Sequence, residues 1–144
     1  MANGTTESGN VSAFDTMPIE QFYDRVKELY LSDNRPWVLG YSGGKDSTAT
    51  LQMVWIALSQ LEPEQRRKTV YVISSDTFVE TPVVVGHIDQ NLDKINEAAK
   101  EQGLPIEASK VVPELENTFW VNLIGRGYPT PSTKFRWCTD RMKI

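Results

Sequence analysis

Between residues 18 and 31 apolar side chains recur at helical spacing: Ile19, Phe22, Val26, Leu29 and Tyr30. Pro18 suits a first helical turn, with Thr16 ahead of it as a cap. Residues 37–41 form a short apolar run and predict a first strand. Residues 48–61 are apolar almost all round (Leu51, Met53, Val54, Trp55, Ile56, Leu58), which predicts a largely buried helix opened by Asp46 or Ser47. Residues 69–73 (Thr-Val-Tyr-Val-Ile) are a continuous run rich in β-branched side chains, the pattern of a strand covered on both faces. Pro82 opens a third helix that runs to about Gln102, with Gly103 at its C-terminal cap. Residues 106–112 read as a third strand, 119–124 as a short helix, 125–131 as a loop, and 132–144 as the start of another helix.

This alternation of strand and helix is the signature of an α/β fold, a parallel sheet with right-handed crossovers in the Rossmann-like manner. Residues 1–16, rich in Gly, Ser, Thr and Asn, are expected to be a disordered tail, and 17–144 a nucleotide-binding domain. The last helical pattern runs to the final residue. The chain is therefore expected to be the N-terminal part of a longer protein, its fold incomplete at the C-terminus.

With 144 residues, 40% hydrophobic and 24% charged, the chain can bury one core. No apolar run approaches the roughly 20 residues of a membrane span. The N-terminus lacks the basic and apolar regions of a secretory signal. The single cysteine, Cys138, excludes an internal disulfide framework and a self-contained four-cysteine metal site. A reducing, cytoplasmic setting is expected. The net charge of -4 argues against a uniformly basic nucleic-acid binder. Yet from Arg126 onward five cations face one anion, +4 in all, leaving -8 on the first 125 residues. That asymmetry points to an anionic partner near the C-terminal segment, or else to a solvated basic tail.

The densest chemistry lies in Tyr41-Ser42-Gly43-Gly44-Lys45-Asp46-Ser47, where a strand passes into a helix. Two glycines let peptide N–H groups approach an anion, the helix start adds partial positive charge, and Lys45 adds a full one. Ser42 and Ser47 offer hydroxyls. Asp46 is the odd member, explained if it holds Mg²⁺ beside a polyphosphate or caps the helix. A Walker A loop would need glycine where Leu39 stands and a hydroxyl where Asp46 stands. The dinucleotide fingerprint fails too, at Lys45 or Ser42.

This hexapeptide, SGGKDS, resembles the PP-loop of the ATP pyrophosphatase superfamily, which includes tRNA-thiolating enzymes, GMP synthetase-type amidotransferases and phosphoadenylyl-sulfate reductases. The resemblance implies an adenine nucleotide α-hydrolase-type fold, binding of ATP with Mg²⁺, and cleavage between the α and β phosphates. A second stretch, Ser75-Asp76-Thr77-Phe78-Val79-Glu80-Thr81-Pro82, is similar to the D-T-G-x-x-F-P-E-T segment of the sulfonucleotide reductases, with Phe78 where that pattern has glycine and a shortened spacing. Ser75, Asp76 and Thr77 would then reach the ribose, the adenine or a magnesium ion. Thr81 before Pro82 also fits a plain helix cap.

A third stretch, G-Y-P-T-P-S-T-K-F-R-W-C-T-D-R from Gly127, looks most similar to the DndC proteins of bacterial DNA phosphorothioation systems. That likeness implies activation of the DNA backbone by ATP for sulfur insertion, with a cysteine desulfurase as sulfur donor and other Dnd subunits as partners. It also implies a [4Fe–4S] cluster, for which one cysteine is too few, so that its remaining ligands would have to lie beyond Ile144. Cys138 sits among Lys134, Arg136, Arg141 and Lys143, a setting that favours thiolate. It is read as a catalytic sulfur carrier, a cluster ligand, or a small buried hydrophobe. Arg136 and its neighbours Arg126, Lys134 and Arg141 are candidates for phosphates of ATP or DNA. Tyr128, Phe135 and Trp137 fit base stacking and core packing equally. His87, the single histidine, is read as structural or surface. Rival readings are a sulfonucleotide reductase and a nucleotide-binding regulatory module without chemistry.

Overall fold

A computed structural model describes residues 17–142; the expected tail at 1–16, the cap at Thr16 and the last two residues lie outside the described residues, as do the side chains of Asp140 and Arg141. Three strands, β1 (Trp37–Gly40), β2 (Val70–Ser75) and β3 (Ile106–Val111), form a parallel sheet in the order β1-β2-β3. Trp37 pairs with Val70 and Val70 with Ile106, so the strands start level. The α/β class and parallel sheet expected from the sequence are present. Helix α1 (Ile19–Leu31) precedes β1, α2 (Lys45–Ser59) links β1 to β2, and α3 (Pro82–Glu101) links β2 to β3.

Because each crossover joins neighbouring strands in the same direction, right-handedness places α2 and α3 on one face of the sheet. The burial pattern agrees. Val70, Val72, Ile106 and Ala108 are buried against Leu51, Val54 and Leu58 of α2 and Leu92 and Ala99 of α3. The opposite face shows Val38 at 59% and Tyr71 at 37% exposure, with Glu107 and Ser109 beside them. β2 is thus covered on one face among the described residues, which corrects the two-faced burial expected of 69–73. Its β-branched run satisfies strand geometry as well as burial, and the pattern alone does not separate the two. α2 is likewise half-sided: Leu51, Val54, Ala57 and Leu58 are buried, while Gln52 is exposed.

Helix boundaries follow local chemistry. α3 starts with Pro82 at its first position and ends one residue before Gln102, after which Gly103 takes φ +60, a left-handed cap that glycine accepts readily. The segment expected as a helix at 119–124 winds more loosely, as a π-helix at Val121–Gly125. The final helix, α4, is shorter than expected at Trp137–Met142 and follows a turn closed by Ser132 and Phe135.

At the N-terminal end of the strands Lys68 is buried, at 6% exposure. Its ammonium pairs with Asp33 at 2.8 Å and lies 4.9 Å from the ring centres of both Tyr30 and Trp37. The Tyr30 hydroxyl donates to the Lys68 carbonyl (2.6 Å) and accepts from the Lys68 N–H (3.0 Å). Burial raises the Tyr30 pKa, opposed by the hydrogen bond it accepts from the Lys68 N–H. Hydrogen bonds from Lys68 and Arg35 lower the Asp33 pKa to about 2. No helix among the described residues is long and apolar enough to cross a membrane.

Candidate functional site

The loop after β1 is built by its own residues. Tyr41 is buried, and its N–H extends the sheet ladder to the Ile73 carbonyl at 2.8 Å. The Ser47 hydroxyl then closes the loop: it accepts from the Ser42 N–H (3.3 Å), lies 3.2 Å from the Ser42 hydroxyl, and donates to the Gly44 carbonyl (3.1 Å). Gly43 takes φ +73, which a side chain resists, and an added Cβ would meet Ile88 of α3 at 3.9 Å. Gly44 has φ -82 and serves as the N-terminal cap of α2. Only the first of the two glycines is demanded by backbone conformation.

Helix α2 opens at Lys45, not at Asp46 or Ser47, and its first bond runs from the Thr48 N–H to the Gly44 carbonyl. The N–H groups of Lys45, Asp46 and Ser47 therefore precede the helical ladder and remain available to an anion. The Asp46 side chain makes no capping bond; it stands in the first turn, exposed, where the helix dipole favours it. The capping explanation of Asp46 is thereby removed. Lys45 is exposed, and none of the ion pairs among the described residues includes it.

Across from this loop lies the end of β2. A cleft of about 330 Å³ opens between them, lined by Gly40, Tyr41, Ser42, Ile73, Ser74, Ser75, Glu80, Val84 and Ile88. It sits beyond the carboxyl ends of the strands, where open α/β sheets bind ligands. A smaller recess continues past Ser75 to Asp76 and Lys110. Asp76 continues the ladder through its N–H to the Val111 carbonyl (2.9 Å), and its carboxylate accepts from the Phe78 N–H (3.0 Å). The same carboxylate lies 3.5 Å from the Lys110 ammonium, which Asp89 holds more closely at 2.9 Å. Asp89 is the first cause of a raised Lys110 pKa.

Lys110 and Asp89 are site residues that the sequence reading missed. They lie on β3 and α3, 21 residues apart, and no local spacing relates them. The signal that was present is a lone lysine at a predicted strand's end. Two further features mark this segment. Thr77 is 3% exposed and its hydroxyl has no hydrogen-bond partner among the described residues. Phe78 takes φ +60, a rare conformation for a bulky residue. The position where the reductase pattern has glycine is thus one whose backbone suits glycine. Thr81 occupies the cap position of α3 without a side-chain capping bond.

The structure brings Tyr41 to Ser47 and Ser75 to Thr77 to one end of the sheet; Tyr41, Ser42 and Ser75 line the cleft itself. Arg136 and Cys138 are not among its lining residues. Arg136 is exposed and donates to the Thr133 carbonyl at 3.3 Å. Cys138 is a half-buried free thiol. Trp137 is buried, stacked on Phe119 with ring centres 5.3 Å apart, edge-on to Tyr128, and bonded to the Pro129 carbonyl at 2.9 Å. It anchors the C-terminal segment as core, while Phe135 stays half exposed.

No three His, Cys, Asp or Glu side chains converge as a metal cage among the described residues. A [4Fe–4S] cluster does not fit the residues present, because Cys138 is the chain's one thiol. A Mg²⁺ ion is different, since it needs only one or two carboxylates when substrate phosphates complete its shell. Exposed Asp46 in the first turn of α2 meets that requirement.

The chain matches no family model and no solved structure. It is similar to an uncharacterized protein of Methanocaldococcus jannaschii, 24% identical over 119 residues, which is 83% of this chain and 20% of that protein. The chain thus spans about a fifth of the length of its curated relative, whose description assigns no activity.

Proposed function

We propose that the cleft binds ATP with Mg²⁺ and cleaves it between the α and β phosphates, and that this serves sulfur insertion into the DNA backbone. One observation carries the reading: the Ser42–Ser47 loop, with Gly43 left-handed and three N–H groups ahead of the α2 ladder, opens onto a cleft at the strand ends. Those donors, Lys45 and the helix dipole all favour a polyphosphate. Asp46, close in sequence to each of them, would hold Mg²⁺ against the phosphates. When bound, Mg²⁺ would supply charge neutralisation to the leaving group. An acceptor oxygen attacks the α-phosphorus, the bond to the bridging oxygen breaks, and pyrophosphate leaves with the electron pair.

The particular pathway rests on the resemblance of the Gly127–Arg141 stretch to DndC proteins. In that reading DNA is the acceptor, Cys138 carries sulfur from a cysteine desulfurase, Arg136 binds phosphate, and other Dnd subunits complete the assembly in the cytoplasm. Ser75, Asp76 and Thr77 address the ribose or base side of ATP. A sulfonucleotide reductase would instead release sulfite.

Lys45→Ala tests the loop. The exposed lysine has no structural partner to lose, so the fold should persist by circular dichroism while ATP affinity falls by about 100-fold, the scale of one or two charge-assisted contacts. Undiminished ATP affinity in a folded Lys45→Ala protein rejects the assignment. Pyrophosphate release from ATP in the presence of DNA and partner proteins then tests the chemistry.

A further inference from the structure

Of the two outer strands, β3 presents the longer edge, six residues against four in β1. The Val70 N–H donates to the Pro105 carbonyl at 2.8 Å and the Asp76 N–H to the Val111 carbonyl at 2.9 Å, with Val70 level with Ile106. Along a strand the peptide groups turn to one side and the other by alternate residues. Glu107 and Ser109 therefore direct theirs toward β2, and Ile106, Ala108 and Lys110 direct theirs away. Such a row of outward groups is a template for a further strand.

The middle residue of that row is already taken. The Asn96 side chain donates from Nδ2 to the Ala108 carbonyl at 2.8 Å and accepts the Ala108 N–H on Oδ1 at 2.7 Å. Two directly opposed residues of an antiparallel ladder exchange this same pair of bonds. A primary amide carries a donor and an acceptor as a peptide group does, so one side chain stands in for one residue of a strand. Asn96 reaches the edge because Leu92 and Ala99, neighbours of it on α3, are buried and hold that side of the helix against the sheet. Lysine on an edge commonly repels a second strand. Here Lys110 is drawn aside to Asp89 at 2.9 Å, which leaves Asn96 as the barrier.

We propose that the β3 edge is a self-association surface held shut by Asn96, and that the partner it fits is a second copy of this chain. Asn96 occupies the residue about which two β3 strands would pair by a two-fold axis. With Ala108 opposite Ala108 of the other copy, Ile106 meets Lys110 and Glu107 meets Ser109, so no like charges are opposed. A neutral amide makes a removable barrier, since it competes for two hydrogen bonds and repels nothing by charge. The pairing requires no nucleotide.

Sedimentation and amide hydrogen exchange of the full chain test this together. In the native chain the Ala108 amide should exchange slowly at every protein concentration. Asn96→Ala places a good helix former in α3 and should keep the native circular dichroism. In dilute solution its Ala108 amide should exchange about tenfold faster, the scale of one lost hydrogen bond. As concentration rises, its mass should double relative to the native chain and its Ala108 amide should slow again. A folded Asn96→Ala chain that stays a single copy from micromolar to millimolar concentration overturns the proposal. So does association that leaves the Ala108 amide fast, because the contact then lies elsewhere. Fast exchange at Ala108 in the native chain overturns it without any variant.

Discussion

The two ends of the one sheet are built to opposite rules. At the N-terminal end the buried polar groups are paired: Lys68 has Asp33 and two aromatic rings, and the Tyr30 hydroxyl satisfies both the N–H and the carbonyl of Lys68. At the C-terminal end Thr77 buries a hydroxyl without a partner, Phe78 and Gly43 adopt left-handed backbone, and Lys45 stays out of every ion pair among the described residues. A folded chain tolerates unmet polar groups and strain where it needs them, and the cost is met elsewhere. The lesson is directional. Substitutions at the first end should lower stability and spare ligand, and substitutions at the second should do the reverse.

Tyr30→Phe is the sharpest test of the first half. It leaves a buried N–H and carbonyl of Lys68 unpaired, which should cost about 2 to 3 kcal/mol of unfolding free energy. Denaturant titration measures the loss, and tripolyphosphate affinity should not move. A loss of affinity to match would break the contrast. At the other end Thr77→Val removes the orphaned hydroxyl while keeping the shape of the side chain. It should gain stability, by up to about 1 kcal/mol, and lose ATP affinity. Stability lost with affinity intact would show that Thr77 belongs to the core. The smallest expected effect is at acid pH. Asp33 has its pKa lowered to about 2 in the fold, against an ordinary 3.8. Its contribution is therefore fully present above about 3.8 and is lost as pH falls through about 2. Asp33→Asn should flatten the stability profile in that window and nowhere above it, as followed by acid titration of the circular dichroism signal.

Much of this was legible in the sequence. The three strands and the helices between them follow from hydrophobic period and from Pro82 and Gly103 at the two ends of α3. The loop was legible because its residues are contiguous and its chemistry is local. The rest depended on meetings in space. Lys110 and Asp89 approach Asp76 only because β3 lies beside β2 and α3 packs over the strand ends. Lys68, next to Arg66 and Arg67, reads as one of a solvated basic run, yet it is buried between two rings. The open sheet face escaped notice because β-branched residues satisfy a strand whether or not its second face is covered. Asp46 shows the converse: a residue that fitted a cap by type stands two positions past the cap, Gly44.

The order β1-β2-β3 has one more consequence. The strand that carries the Ser42–Ser47 loop is an outer strand of the sheet among the described residues, four residues long and bonded to β2 alone. Edge strands open locally at less cost than central ones. The loop therefore hangs from a part of the sheet that frays early, and a bound polyphosphate would act as a clasp on it. Ligand occupancy and protection of the β1 amides against solvent exchange become one linked equilibrium.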